Sequence, residues 1–307
     1  MFNGCTSLTR VSLYPPKDPV SMKEMFHLSA VLNIECLGSN KMTPTNLSLT
    51  FREMPSTANY VYPTDKWDFS KCTKWIYAWY GTNSNLLDLS GHTLNLKSND
   101  NPFHHGKFLN LTGATIFLPD ERNEHGNMRS FNAFEVVNLT NATIKGHFRK
   151  HFVANMNNET GQLLVNNTLK EVIIDGAVFA DEESRNWEGI FEKCVKLQKD
   201  VIIPNNITNV TNAFKDCTSM THIHSNWNNS YTNGIASTDC YAGCTGITHI
   251  DDVELGVNEY KRGLDEVPED WGGYGFEDSN TSVVVLDIPS DNYEVTVTMR
   301  VNFGDNS

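Results

Sequence analysis

Thiols and imidazoles crowd one stretch of this chain: His222 and His224 are followed by Cys240, Cys244 and His249. Thiolate sulfur and neutral imidazole nitrogen are the ligands zinc prefers, so this set is the first candidate for chemistry. Its spacing argues for a structural role instead. Cys217 and Cys244 hold the same place in two similar segments, and "THI" occurs at Thr221 and again at Thr248. His222 and His249 then become equivalent surface positions of neighbouring units, and Cys217 and Cys244 become buried thiols. Cys240 and His224 fall outside the pattern. Stacked units would also bring Cys217 and Cys244 within disulfide range. The chain has seven cysteines, however, and an odd number cannot pair completely within one chain. No metal and no cofactor are expected.

The second candidate is aromatic. "KWIYAWYGT" places Trp75, Tyr77 and Trp79 at alternate positions, which on a strand would share one face. Exposed, such a row is a platform for sugar rings or an anchor for a protein partner; the alternative is that it fills the core. Trp271, Tyr274 and Phe276 pose the same choice. For catalysis there is no nucleophile beside a base and no phosphate-cradling glycine loop. Glu182 and Glu183, like Asp251 and Asp252, read as solvated carboxylates. A glycosidase would need two carboxyls at a set separation. The chain is expected not to be an enzyme.

The elements that must position these residues are repeats. Phe214, Cys217, Met220 and Ile223 lie three residues apart, and so do Tyr241, Cys244, Ile247 and Ile250, and Phe2, Cys5, Leu8 and Val11. Phe191, Cys194 and Leu197 begin another copy, which reaches Val201 one residue late. A related pattern occupies the middle: "LDLSGHTL" from Leu87, "LNLTGATI" from Leu109, "VNLTNATI" from Val137 and "VIIDGAVF" from Val172. Alternating apolar residues mark a short strand, and a small polar residue followed by Gly or Asn marks a bend. Phe191 to Phe214 is 23 residues and Phe214 to Tyr241 is 27. Units of that size cannot close a core alone and must stack on their neighbours. Phe214 is therefore expected over Tyr241, and Cys217 over Cys244.

At these residues the chain resembles a known family. "VIIPNNITNVTNAFKDCTSMTHI" is similar to the BspA-like leucine-rich repeat, with its I-x-I-P and A-F-x-x-C-x-x-L-x-x-I segments. The match covers Phe191 to Ile250 and, less closely, Phe2 to Leu13. The resemblance implies a mainly β fold, an irregular β-solenoid used for binding, with no catalytic residues. Five regions are expected: N-terminal repeats at 1–40, a degenerate region at 41–184, regular repeats at 185–255, a Gly- and Trp-rich linker at 256–280, and C-terminal strands at 281–307. The ending "NFGDNS" resembles the turn of small PKD-like β-sandwiches, with Phe303 in place of tryptophan.

Charge bounds the partners. The formal net charge is −13 and the isoelectric point about 5.2, so the long-range field repels phosphate backbones and anionic lipid. Nucleic acid is not an expected partner, nor is membrane insertion, since no apolar run is long enough to span a bilayer. The N-terminus lacks the basic and apolar regions of a secretory signal. N-x-S/T triplets at Asn138, Asn141, Asn206 and Asn209 read as Asn/Thr richness rather than glycosylation sites. The resemblance points to a structural and adhesive component of a phage virion, in a tail, baseplate or fibre. Its partners would be other virion proteins or copies of itself, and a host-surface glycan or protein. A bacterial cell-surface adhesin is the alternative, and a glycan-degrading tailspike-like enzyme the third reading. Phe2 opens the first unit, so that end is expected to be shielded by another subunit or by the chain folding back.

Overall fold

The structure, a computed structural model, describes residues 1–55, 59–82, 84–96, 102–103, 106–118, 131–152, 164–223, 239–250 and 253–254. The linker at 256–280, the strands at 281–307, His224, Trp271, Tyr274 and Phe276 lie outside the described residues.

Short stretches of alternating apolar residues become short strands. They are β1 (Arg10–Leu13), β2 (Val20–Ser21), β3 (Asn33–Cys36), β4 (Pro44–Asn46), β5 (Asn59–Val61), β6 (Leu86–Asp88), β7 (Thr93–Asn95) and β8 (Gly106–Asn110). After them come β9 (Thr115–Leu118), β10 (Phe134–Asn138), β11 (Thr143–Gly146), β12 (Glu171–Ile173) and β13 (Val178–Phe179). The helix α1 (Glu182–Arg185) is a single turn capped by Asp181, and β14 (His222–Ile223), β15 (His249–Ile250) and β16 (Val253–Glu254) follow. The described fold is mainly β, its sheets are parallel apart from the β15–β16 pair, and no barrel closes.

The strands pair with their equivalents in neighbouring units. Tyr60, Leu87, Leu109, Val137 and Val172 stand in register along one sheet, in strand order β5-β6-β8-β10-β12. Leu94, Ile116, Ile144 and Phe179 do the same in the sheet β7-β9-β11-β13. All nine side chains are buried, so each sheet turns one face inward. Between the two sheets the chain bends the same way each time. Oδ1 of Asp88, Asn110 and Asn138 accepts the backbone N–H two residues on, at 3.0, 3.2 and 3.0 Å. Such Asx-turns are the local alternative to a strand ladder that short polar side chains offer. A left-handed residue follows: Gly91, Gly113 and Asn141 have φ of 68°, 66° and 55°. Asn166 and Asn209 make the same turn onto Thr168 and Thr211. The N-x-S/T triplets at Asn138 and Asn209 thus have a geometric cause, since their side chains are engaged in turning the backbone.

A column of rings runs through the described core. Phe2, Phe26, Phe51, Trp79 and Phe103 succeed one another with centroids 5.2–5.9 Å apart, their planes within 25° of parallel. Phe131 and Phe152 carry the column on with tilted rings to Phe191, Phe214 and Tyr241. Backbone bonds repeat beside it. The N–H of Phe2, Phe26, Phe51, Trp79, Phe191 and Phe214 each donates to the carbonyl just before the next ring residue, at 2.7–3.0 Å. A fully buried ring contributes roughly 1.5–3 kcal/mol by leaving water, and a well-placed ring pair about 0.5–1.5 kcal/mol more. The column crosses the sequence boundaries at 40/41 and 184/185. Those boundaries mark where the spelling of the repeat changes, while the packing continues.

Candidate functional site

The thiols and imidazoles are placed by this register. Cys194, Cys217, Cys240 and Cys244 are buried, and none of the seven cysteines is in a disulfide. Cys217 Sγ donates to the Phe191 carbonyl at 3.1 Å, and Cys244 Sγ to the Phe214 carbonyl at 3.0 Å. The thiol thus ties its own unit to the ring residue of the unit before. Burial pushes the Cys194, Cys217 and Cys240 thiols well above their ordinary range, away from the reactive thiolate. Cys5, Leu8 and Phe2 are only partly buried at the first unit, with Phe2 and Leu8 packed against the core. The Tyr241 hydroxyl donates to the buried Asp200 carboxylate at 2.7 Å.

His222 and His249 pair in register on β14 and β15, with ring centroids 4.2 Å apart and planes 7° from parallel. Each Nδ1 lies 2.8 Å from the preceding threonine Oγ1. Imidazole lone pairs lie in the ring plane, so two near-parallel rings do not converge on one ion. Among the described residues no group of three or more His, Cys, Asp or Glu is placed to hold a metal. No described helix is long and apolar enough to cross a membrane.

The aromatic platform requires a correction. Residues 75–79 are a turn held between neighbouring units, not a strand, so alternation does not set their direction. Trp75 and Trp79 point inward and are 0% and 1% exposed. Trp79 is a rung of the ring column, and Trp75 Nε1 donates to the Asn95 carbonyl at 2.8 Å. The proposed exposed surface therefore loses both tryptophans. Tyr77, between them, has φ of 52° and is half-buried at the surface.

Around Tyr77 the equivalent turns of three units form an open groove of about 410 Å³. The backbone register makes Lys23, Ser48 and Ile76 equivalent, and likewise Glu24, Leu49 and Tyr77. It does so through Glu24 N–H to the Ser48 carbonyl at 3.0 Å and Leu49 N–H to the Ile76 carbonyl at 2.8 Å. Leu49, Ile76 and Tyr77 supply an apolar floor, and Lys23, Arg52 and Lys74 supply positive charge. The Arg52 guanidinium lies 5.5 Å from the Tyr80 ring centre, and Tyr80 meets Tyr77 edge-on at 4.9 Å. Arg52 also pairs with Glu53 at 2.9 Å, and Lys23 with Glu24 at 3.4 Å. Asn46 uses Oδ1 on the Ser48 N–H at 2.8 Å, which fixes its carboxamide at the groove wall.

No family model matches the chain, and neither a curated protein nor a solved structure matches it.

Of the groove's residues, sequence reasoning singled out Tyr77 alone. A signal for the rest existed: "MKEMF", "LSLTF" and "WIYAW" each put apolar residues four apart, ending on Phe26, Phe51 and Trp79. It was hidden because the cysteine three residues after the ring is replaced there by Ser29, Met54 and Thr82. Ser29 and Thr82 still donate to ring-residue carbonyls, those of Phe26 and Phe51.

Proposed function

We propose that the chain is a noncatalytic β-solenoid of BspA-like leucine-rich repeats that serves as a structural and adhesive component of a phage particle. The supporting observation is the use made of its chemically capable side chains. Buried thiols and rings are spent on holding one unit to the next, as Cys217, Cys244, Phe214 and Tyr241 illustrate. What varies from unit to unit is the outward side chains of the turns. A rigid stack with variable turns is a binding scaffold. The virion reading itself draws on the resemblance at Phe191 to Ile250.

The deciding experiment is mass spectrometry of purified particles. Peptides of this chain at a fixed ratio to other particle proteins would support the virion reading. Their absence from particles, with recovery from washed bacterial envelopes, would replace it by a cell-surface adhesin. Release of new reducing ends from a glycan by the purified chain would overturn the noncatalytic part.

A further inference from the structure

We propose that the groove over Leu49, Ile76 and Tyr77 binds an acidic saccharide, with a sugar face on these three side chains and its carboxylate toward Lys74 and Arg52. This rests on the reading of the chain as an adhesive, noncatalytic protein. The first support is charge. The chain carries −13 overall, yet the charged residues lining this groove, Lys23, Arg52 and Lys74, are all cations. Lys23 and Arg52 have exposed carboxylate neighbours in sequence, and exposed pairs of that kind hold a cation only weakly. Lys74, by contrast, has no acidic partner among the described residues. A neutral sugar would have no use for this charge. In a field that repels anions at long range, it acts at contact distance.

The second support is strain. Leu49 has φ of 59° and Tyr77 φ of 52°, a left-handed backbone that bulky side chains adopt at a cost. At the same turn position the later units carry Gly189, Asn212 and Asp239, residues suited to that backbone. Leu and Tyr are thus held in an unfavourable conformation that lays an aliphatic and an aromatic face open to the groove. At this turn position the misfit is confined to the early units, Glu24 among them, and Leu49 and Tyr77 are the two whose side chains line the groove. Aromatic and aliphatic faces suit the C–H faces of a pyranose, and carboxylate is what Arg and Lys recognise.

An acidic peptide is the competing ligand, and the backbone disfavours it. A peptide strand would need free main-chain groups at an edge. The N–H groups of Glu24, Leu49 and Phe51 are already bonded to the neighbouring unit at 2.8–3.0 Å.

Calorimetric titration of the full chain tests this, with galacturonate, glucuronate and sialylated tetrasaccharides as probes. Neutral galactotetraose and tetraglutamate serve as controls. At least one acidic sugar is expected to bind, more weakly as salt rises, with the two controls at least about tenfold weaker, the order of one lost charged contact. Lys74→Ala and Tyr77→Asn should each lower affinity about tenfold or more, since each removes one of the two recognition elements. Asn tolerates the left-handed backbone, and circular dichroism should show both variants folded. If Tyr77→Asn fails to fold, Lys74→Ala against Lys74→Arg gives the same answer, with Arg retaining binding. Failure of every acidic sugar to bind overturns the proposal, as does equal binding of galactotetraose or of tetraglutamate, or insensitivity to the Lys74 change. These outcomes are separate from those of the particle experiment. A chain absent from virions could still bind the sugar, and a virion component could fail to.

Discussion

The turns that enter the ring column at Phe26, Phe51 and Trp79 and those that enter it at Phe191, Phe214 and Tyr241 share one backbone and differ in what they carry. Two residues before the ring, Glu24, Leu49 and Tyr77 have φ of 57°, 59° and 52°, and Gly189, Asn212 and Asp239 have 60°, 55° and 55°. One position earlier, Lys23, Ser48 and Ile76 answer to Glu188 and Thr211. The later turns spell what the conformation prefers; the earlier ones impose it on bulkier side chains. The contrast is local. Two residues after the ring, long side chains sit at positive φ in both regions, as Leu28, Glu53 and Lys193 do. The inward requirement is therefore shared, while outward identity is free to serve a surface. At the position two before the ring, the misfit falls on Leu49 and Tyr77, which line the groove.

The most damaging changes should fall equally on both regions. Phe51→Ala and Phe214→Ala are each expected to cost about 3–5 kcal/mol, the usual loss for a fully buried ring, measured by urea unfolding. A much smaller loss at Phe51 would mean that the early units are not held as the later ones are.

Acid should expose a difference next. His92 is buried, with Nε2 against the Tyr62 carbonyl and its ring on Phe69 at 4.9 Å. Burial holds its folded pKa below the ordinary value, partly opposed by the Tyr62 bond. The unfolded chain then binds the proton first, so stability is full above an unfolded pKa of about 6.5 and is lost as pH falls below it. Melting temperature should drop between pH 7 and pH 5, and His92→Gln should flatten that drop. An unchanged slope in the variant would assign acid sensitivity elsewhere.

Exchanging the turn residues addresses the contrast itself. Leu49→Asn should gain about 1 kcal/mol by relieving the left-handed backbone, and Asn212→Leu should lose about as much. Thermal melts of the two variants check this; shifts of the same sign would end the comparison. The smallest effect expected is none: a chelator should leave the melting temperature unchanged. In native protein, thiol labelling should reach Cys5 and Cys36 well before Cys217 and Cys244, although burial raises the Cys36 thiol to about 11.

Much of the later region could be read directly. The even spacing at Phe214 and Tyr241 anticipated rings that lie 5.2 Å apart and 4° from parallel, and "THI" anticipated the stacked histidines. The motifs at Leu87, Leu109, Val137 and Val172 anticipated strands in register. The early ring column was harder to see because its requirement is physical rather than verbal. Packing asks for a ring and a small or flexible partner three residues on. Ser29, Met54 and Thr82 satisfy that as Cys194 does, so a search for the cysteine passes them by. The groove was less legible still, because Lys23, Arg52 and Lys74 are far apart in the chain and have no motif in common.

By itself the sequence determined the alternation of short strands and bends, since period-two apolar residues and Asx or Gly bends act over a few neighbours. It also placed the repeating cysteines at inward positions of the register, where Cys194, Cys217 and Cys244 are buried. Only the tertiary structure decided the direction of Trp75, Tyr77 and Trp79. As a strand they would share a face; as a turn they divide, two inward and one out. That choice is made by hydrogen bonds to other units, from Leu49 to Ile76 and from Trp79 to Pro102, each between residues more than twenty positions apart. A local pattern carries no trace of such bonds, which exist only once the units have stacked.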